Sequence, residues 1–307
     1  MTLILTVNGP ETIWLLADRR LSDRGHVVRD DACKVIVLET TDGLAILGYS
    51  GLGATSHGTE PSAWMSSVLR GINVPLEQSL EILANAMRRQ LPPHLMRLPK
   101  DTIAAQFVGV TAFVNGEARL YSIDLVLTPD RKNSYFRYTR YTSPNTYSNA
   151  TRTPRFYLTG TGGLYLAREK EKLRNLLNLV KANDHGKLSA NVVSDYLASL
   201  NNDVYLGIKD NSVGPNCIVV WRHSKEGFHK GGGAHQCYIG VNRDPRMSFI
   251  PIISGGMDMK AIGELMMPSL LEMSEKLQRG EPFTGIDDTD LNAKLAKLPI
   301  QPNEDLH

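Results

Sequence analysis

Cysteine is scarce in this chain: three in 307 residues (Cys33, Cys217 and Cys237), far apart and without CxxC spacing. That argues against a zinc-ribbon site and a disulfide framework and fits a reducing, cytoplasmic setting. Charge bias is equally slight. With 34 basic against 32 acidic residues the formal net charge is +2, so electrostatics implies neither nucleic acid nor an anionic membrane as partner. No apolar run approaches the roughly 18 residues of a membrane span, and the opening from Met1 to Val7 has neither the basic flank nor the length of a signal sequence. His229 and His235 lack a third ligand, so no metal is expected there. The glycine run Gly160-Thr161-Gly162-Gly163 has neither the Gly-Lys-Ser/Thr of a phosphate loop nor dinucleotide-fingerprint spacing. No cofactor is expected.

What is present is a regular alternation of short β-type runs and helical patterns. Leu3–Asn8 and Thr12–Asp18 flank Gly9-Pro10, and Lys34–Glu39 and Leu44–Tyr49 flank an Asp-Gly turn, which predicts a four-strand antiparallel sheet. Helical periodicity follows at about Glu60–Ile72 and Leu76–Leu91, the first with Pro61 suited to an opening turn. Ile103–Val114 and Glu117–Leu127 form a second hairpin around Asn115-Gly116. The stretch from Thr128 to Arg155 has no apolar period; the alternation of Tyr135, Arg137, Tyr138, Arg140 and Tyr141 reads as an amphipathic hairpin rather than a base-stacking surface. Phe156–Thr159 leads into the glycine run. Helices are then expected over Leu164–Lys181 and Ala190–Leu200, and a strand over Asn216–Arg222. Around His229–His235 the sequence reads as a flexible connection. A helix over Asp258–Arg279 should kink or break at Pro268, and the tail past Gly280 is polar. These patterns divide the chain into a domain over 1–225 and an extension over 226–307.

The chemistry concentrates in the first 34 residues. Once Met1 is removed, Thr2 presents a hydroxyl and a free α-amine, a nucleophile carrying its own base, because an α-amine with a pKa of about 7.7–8.0 is partly unprotonated near neutrality. Thr is small enough for ordinary methionine removal to act on this start. Asp18 follows Thr2 by 16 residues and Lys34 follows Asp18 by another 16. Strand ends returning to one sheet edge can bring the three together, with Lys34 favouring deprotonation of Thr2 and Asp18 compensating Lys34.

A Thr second in the coded chain, Ala17-Asp18-Arg19-Arg20, Gly25, Lys34-Val35 and Gly48-Tyr49-Ser50-Gly51 together resemble the catalytic β-type subunits of proteasomes and their bacterial relatives, the HslV-type and Anbu-type peptidases. The resemblance is specific over the first 55 residues and fades after about 225. It implies an α+β fold, the four-layer αββα sandwich of N-terminal-nucleophile hydrolases. It also implies a threonine peptidase working as a cytoplasmic homo-oligomer on peptide or protein substrates, with an ATPase or other activator left open. Thr2, Asp18 and Lys34 take the catalytic positions, and the Gly51 backbone N–H contributes an oxyanion donor. Thr161 replaces the Ser of a turn whose hydroxyl contacts the nucleophile's amine. Asp210 matches a supporting Asp, whereas Val213 stands where the family has Ser and Ser212 lies one position earlier. Arg20 and Tyr49 are the implied substrate-side residues, Tyr49 at the base of the primary pocket. Two rival readings remain on the sequence: an amidase of the same chemistry acting on a small amide or acyl compound, and a catalytically silent structural subunit.

Overall fold

The computed structural model describes residues 2–23, 26–50, 60–90, 104–127, 134–144, 151–153, 155–224, 232–237 and 250–281, with positions 289 and 293 in isolation. Strands β1 (Ile4–Asn8) and β2 (Thr12–Asp18) open the chain and are buried along their whole length. That explains their nearly unbroken apolar sequence, since a strand covered on both faces has no solvent side to mark with polar residues. A small ribbon, β3 (Leu21–Asp23) with β4 (His26–Arg29), precedes the hairpin of β5 (Val35–Thr40) and β6 (Gly43–Tyr49). Helices α1 (Pro61–Leu69) and α2 (Leu76–Gln90) come next, with Pro61 in the first turn of α1.

Strands β7 (Ala104–Val114) and β8 (Glu117–Leu127) meet at Asn115 and Gly116, both at positive φ (52° and 80°), as a two-residue hairpin turn whose twist matches its strands requires. There follow β9 (Ser134–Tyr141), the short pair β10 (Ser143–Pro144) and β11 (Thr151–Arg152), and β12 (Phe156–Thr159). Helices α3 (Gly160–Leu166), α4 (Lys170–Asp184) and α5 (Ala190–Gly207) lead to β13 (Cys217–His223) and β14 (Gly232–Cys237). The described chain closes with β15 (Ile252–Ser254), β16 (Met257–Asp258) and α6 (Met259–Gln278).

The strands form a five-stranded sheet ordered β12-β1-β2-β13-β14 and a seven-stranded sheet ordered β16-β15-β5-β6-β7-β8-β9. The two amino-terminal hairpins therefore do not share a sheet, contrary to the sequence-based expectation. Strands β1 and β2 pair outward with β12 and β13, and the second hairpin pairs with β7 and, in parallel, with β15. What joins the hairpins is a common apolar cluster: Ile4, Leu15 and Ala17 of one sheet with Val35, Val37 and Ile46 of the other. The alternate residues of each strand point the other way. Leu3, Leu5 and Leu16 pack with Leu176, Val193 and Leu197 of α4 and α5, while Ile36, Ala45 and Leu47 pack with Val68, Leu80 and Leu83 of α1 and α2. The content is mixed α and β.

The Tyr/Arg-rich stretch supplies β9, the antiparallel partner of β8, with Phe136 buried under α2 and Tyr135 exposed, as the amphipathic-hairpin reading expected. Three further expectations are corrected. The helix expected over Leu164–Lys181 is two helices, α3 starting at Gly160 and α4 following a break at Ala167–Glu169. Of the connection read over His229–His235, residues 229–231 lie outside the described residues, and Gly232–His235 belong to β14. There Gly233 faces Trp221, and a Cβ on it would lie 2.2 Å from the indole, so the glycine accommodates a ring. Helix α6 runs unbroken across Pro268. Pro268 and Glu264 both lie on the exposed side of the helix, where water can take the place of the missing donor. Asp258 caps α6 by accepting from the Ala261 N–H at 3.1 Å.

Candidate active site

Thr2, Asp18 and Lys34 come together because three strand ends converge. Asp18 is the last residue of β2, and its N–H bonds the Leu3 carbonyl at 3.1 Å, setting Thr2 beside it. Lys34 immediately precedes β5, where its carbonyl accepts from the Tyr49 N–H at 2.8 Å. In the resulting cluster Lys34 Nζ donates to Thr2 Oγ1 at 2.7 Å and to Asp18 Oδ1 at 3.0 Å. The Thr2 hydroxyl itself donates to Asp18 Oδ1. All three are buried, at 3%, 0% and 3% exposure.

Asp18 is held on both oxygens. Oδ1 also accepts from the Leu3 N–H at 2.9 Å, and Oδ2 accepts from the N–H groups of Arg20 (3.0 Å) and Gly214 (3.3 Å). Burial pushes the Lys34 ammonium below its ordinary pKa, and Asp18 works against that fall. The attraction between unit charges 3.0 Å apart is roughly 5 kcal/mol at an effective dielectric near 20. Desolvation takes several kcal/mol per ion in return. A pair that about breaks even is not explained by stability.

The Arg-Arg at 19–20 is matched by the Asp-Asp at 30–31. Arg20 makes a two-pronged bridge to Asp30 (2.6 and 2.9 Å), donates to the Asn211 carbonyl at 3.1 Å and lies over the Tyr205 ring. Its guanidinium thus ties the strand end to the loop before β13. Arg19 is buried too, and its guanidinium donates to the carbonyls of Asp31 and Ala32, which lead directly to Lys34. The two opposite-sign doublets were the sequence signal for this clamp.

Around Thr2 the start of α3 closes in. The Gly162 N–H bonds the Thr2 carbonyl at 3.3 Å. Gly160 sits at φ +80°, where a Cβ would fall 2.0 Å from that carbonyl oxygen; both conformation and space require glycine. Thr161 Oγ1 is paired with Ser212 Oγ at 2.7 Å, and Asp210 Oδ1 accepts from the Ser212 N–H at 2.9 Å. It is therefore Ser212 that brings a hydroxyl to Thr161. Val213 turns into the helix-side core, 1% exposed, against Gly162.

Tyr49, expected at the base of a substrate pocket, is a core residue among the described positions. Its ring is 1% exposed and stands edge-to-face with Trp64 of α1, centroids 6.1 Å apart, and burial raises its phenol pKa. Met1, Gly25 and Gly51 lie outside the described residues. Sequence reasoning placed Gly214 only at the end of the Asp210 motif and reached neither its N–H bond to Asp18 nor Asn201, the α5 residue whose amide grips the Gly214 loop. A backbone donor and a helix-face amide leave no pattern in a single sequence. Among the described residues no group of His, Cys, Asp and Glu side chains is placed to hold a metal, and no helix is long and apolar enough to cross a membrane.

No family model matches the chain, and neither does any curated protein. Among solved structures, the chain is similar to Anbu (ancestral beta-subunit) from Yersinia bercovieri at 8% identity, TM-score 0.43, over 72% of this chain and 81% of that one. It is also similar to the helical assembly of the Anbu complex from Pseudomonas aeruginosa at 12% identity, TM-score 0.47, over 94% of this chain and 99% of that one.

Proposed function

We propose that this chain is a threonine-type N-terminal-nucleophile hydrolase of peptide bonds, built as an αββα sandwich. The observation that carries the reading is the buried Lys34 ammonium held 2.7 Å from Thr2 Oγ1 and 3.0 Å from Asp18, a pair that brings no net stability to account for it. Cleavage of the Met1–Thr2 bond frees the Thr2 amine. That amine takes the hydroxyl proton as Oγ1 attacks the substrate carbonyl, and the Lys34 charge stabilises the developing alkoxide. The tetrahedral intermediate, its oxyanion met by the Gly51 N–H, collapses to an ester on Thr2 as the leaving amine receives the proton. Water then attacks the ester, delivers its proton to the Thr2 amine and regenerates the hydroxyl. Asp18 keeps Lys34 in place, and Arg20 acts through Asp30 and the Asn211 loop rather than on the substrate.

The test is intact mass and peptide mapping of the purified protein after treatment with a β-lactone, an electrophile that acylates activated threonine. A single adduct on an amino-terminal Thr2 is expected. Protein that begins at Thr2, is folded and takes no adduct would remove the reading, as would retained Met1 in protein that hydrolyses amides.

The same reading includes self-assembly, which keeps such a nucleophile from unintended targets. Met267, Leu270, Leu271 and Leu277 of α6, between 37% and 59% exposed, offer apolar surface for it. Sedimentation equilibrium should give a multiple of 34.0 kDa; a monomer mass at micromolar concentration would refute it.

A further inference from the structure

The carboxylate of Asp18 is served by donors from two distant parts of the chain. Leu3 and Arg20 belong to its own hairpin and its continuation, whereas the Gly214 N–H arrives from the loop between α5 and β13, 196 residues away. That loop has no regular pairing of its own before Asn216. Its position is fixed by Asn201, in the fourth turn of α5, whose Nδ2 donates to the carbonyls of Gly214 at 3.1 Å and Pro215 at 3.4 Å.

Asn201 is 0% exposed. Its Oδ1 has no hydrogen-bond partner among the described residues, so the side chain's bonds run to this loop. A buried amide with an unsatisfied carbonyl costs about 1–3 kcal/mol. Leucine, branched in the same way at Cγ though larger, would suit the apolar surroundings of Leu197, Leu200 and Val204 on the same helix without that penalty. Packing therefore does not account for the amide, and the loop does.

We propose that Asn201 is a positioning residue for the Thr2 site. It pins the Gly214–Pro215 carbonyls to α5 and thereby aims the Gly214 N–H at Asp18 Oδ2, fixing the carboxylate that holds Lys34 against Thr2. This rests on the reading of Thr2 as nucleophile. The Asn216 side chain extends the same arrangement by donating to the Asp30 carbonyl at 3.0 Å, and the Asn216 carbonyl accepts from the Arg19 N–H at 2.9 Å. The loop is thus latched on one side to α5 and on the other to the Arg19–Arg20 segment. Releasing the α5 side lets Asp18 and Lys34 wander, and misplacement of reacting groups by about 1 Å can cost as much as 10²-fold in rate.

The experiment compares wild type with Asn201→Leu, which keeps the branching at Cγ and removes the donor, and Asn201→Ala, which removes the donor and leaves space, so that overpacking and a cavity are tested separately. Three quantities are read: the β-lactone labelling rate of Thr2 at saturating reagent, the reagent concentration for half-maximal rate, and hydrogen exchange of the Gly214 amide against the amides of β13. In both variants the saturated rate should fall about ten-fold or more with the half-maximal concentration little changed. The Gly214 amide should exchange faster while β13 keeps its protection. Labelling at the wild-type rate in either folded variant overturns the role of Asn201 and leaves the nucleophile assignment standing. Loss of β13 protection together with labelling shows a purely structural residue and overturns it as well. Absence of a Thr2 adduct in wild type removes the underlying reading, and the proposal with it.

Discussion

Thr2→Ala should lose amide hydrolysis and β-lactone labelling by about 10⁴-fold or more, because it deletes the atom that forms the ester. Thr2→Ser should keep a measurable fraction, since both hydroxyl and amine survive. Stability should change little. The Thr2 hydroxyl leaves behind a Lys34–Asp18 pair that remains bonded at 3.0 Å, so the penalty is on the order of 1 kcal/mol for the lost hydrogen bonds. Activity and urea unfolding, measured on the same preparations, separate the two effects. Full activity in Thr2→Ala would end the mechanism, and an unlabelled wild type beginning at Thr2 would leave a structural subunit as the surviving reading.

Asp18→Asn should be the most destabilising single change at the site. It keeps the shape of the side chain and removes the charge that compensates Lys34, and breaking a buried ion pair in this way costs about 3–5 kcal/mol. The loss should depend on pH in a definite direction. Burial holds the folded-state pKa of Lys34 below its unfolded value, which is about 10.4. On acidification from above that value the unfolded chain takes up the proton first, so stability falls with falling pH until Lys34 is protonated in the folded state, and then levels off. Removing Asp18 deepens the depression and widens the window downward. The stability difference between Asp18→Asn and wild type should therefore be larger at pH 7 than at pH 10, as read from urea midpoints at the two values. A difference that does not vary with pH would mean that Lys34 is not the charge Asp18 compensates. Labelling of Thr2 should also be strongly reduced in the variant.

Much of this was legible in the residues because short-range physics settled it. The buried runs of β1 and β2, the Asn115-Gly116 turn and the heptad-like spacing of Leu76, Leu80, Leu83 and Met87 on α2 are local signals, and the structure follows them. That Thr2, Asp18 and Lys34 could meet was legible from the two 16-residue spacings together with the family resemblance, although they meet across the two sheets rather than at one edge. Sheet membership was not. A hairpin carries no mark of which ladder its outer edge will join, and the apolar faces of β2 and β5 are equally suited to lying side by side or face to face. The packing of Tyr49 against Trp64 was not legible, because position along a strand does not tell which face a ring takes until the helices α1 and α2 are in place. Glycine misled in the other direction: Gly233 looked like freedom and turned out to be clearance for Trp221. The Gly214 donor depends on a backbone N–H and a remote amide, and neither has a signature in composition or period.

The placement of β1 between β2 and β12, with Gly214 closing over Asp18 from beyond α5, also sets a clock on biosynthesis. Asp18 and Lys34 leave the ribosome early, but the α3 turn that receives the Thr2 carbonyl and the loop that completes the carboxylate's cradle are encoded much later. At about 5–20 residues per second, the stretch from Lys34 to Gly214 takes roughly 10–35 s to emerge. On the proposal that Thr2 is the nucleophile, the nascent chain carries it through that interval without the contacts that hold Asp18 and Lys34 in place, and translation order would delay its reactivity until both sheets close.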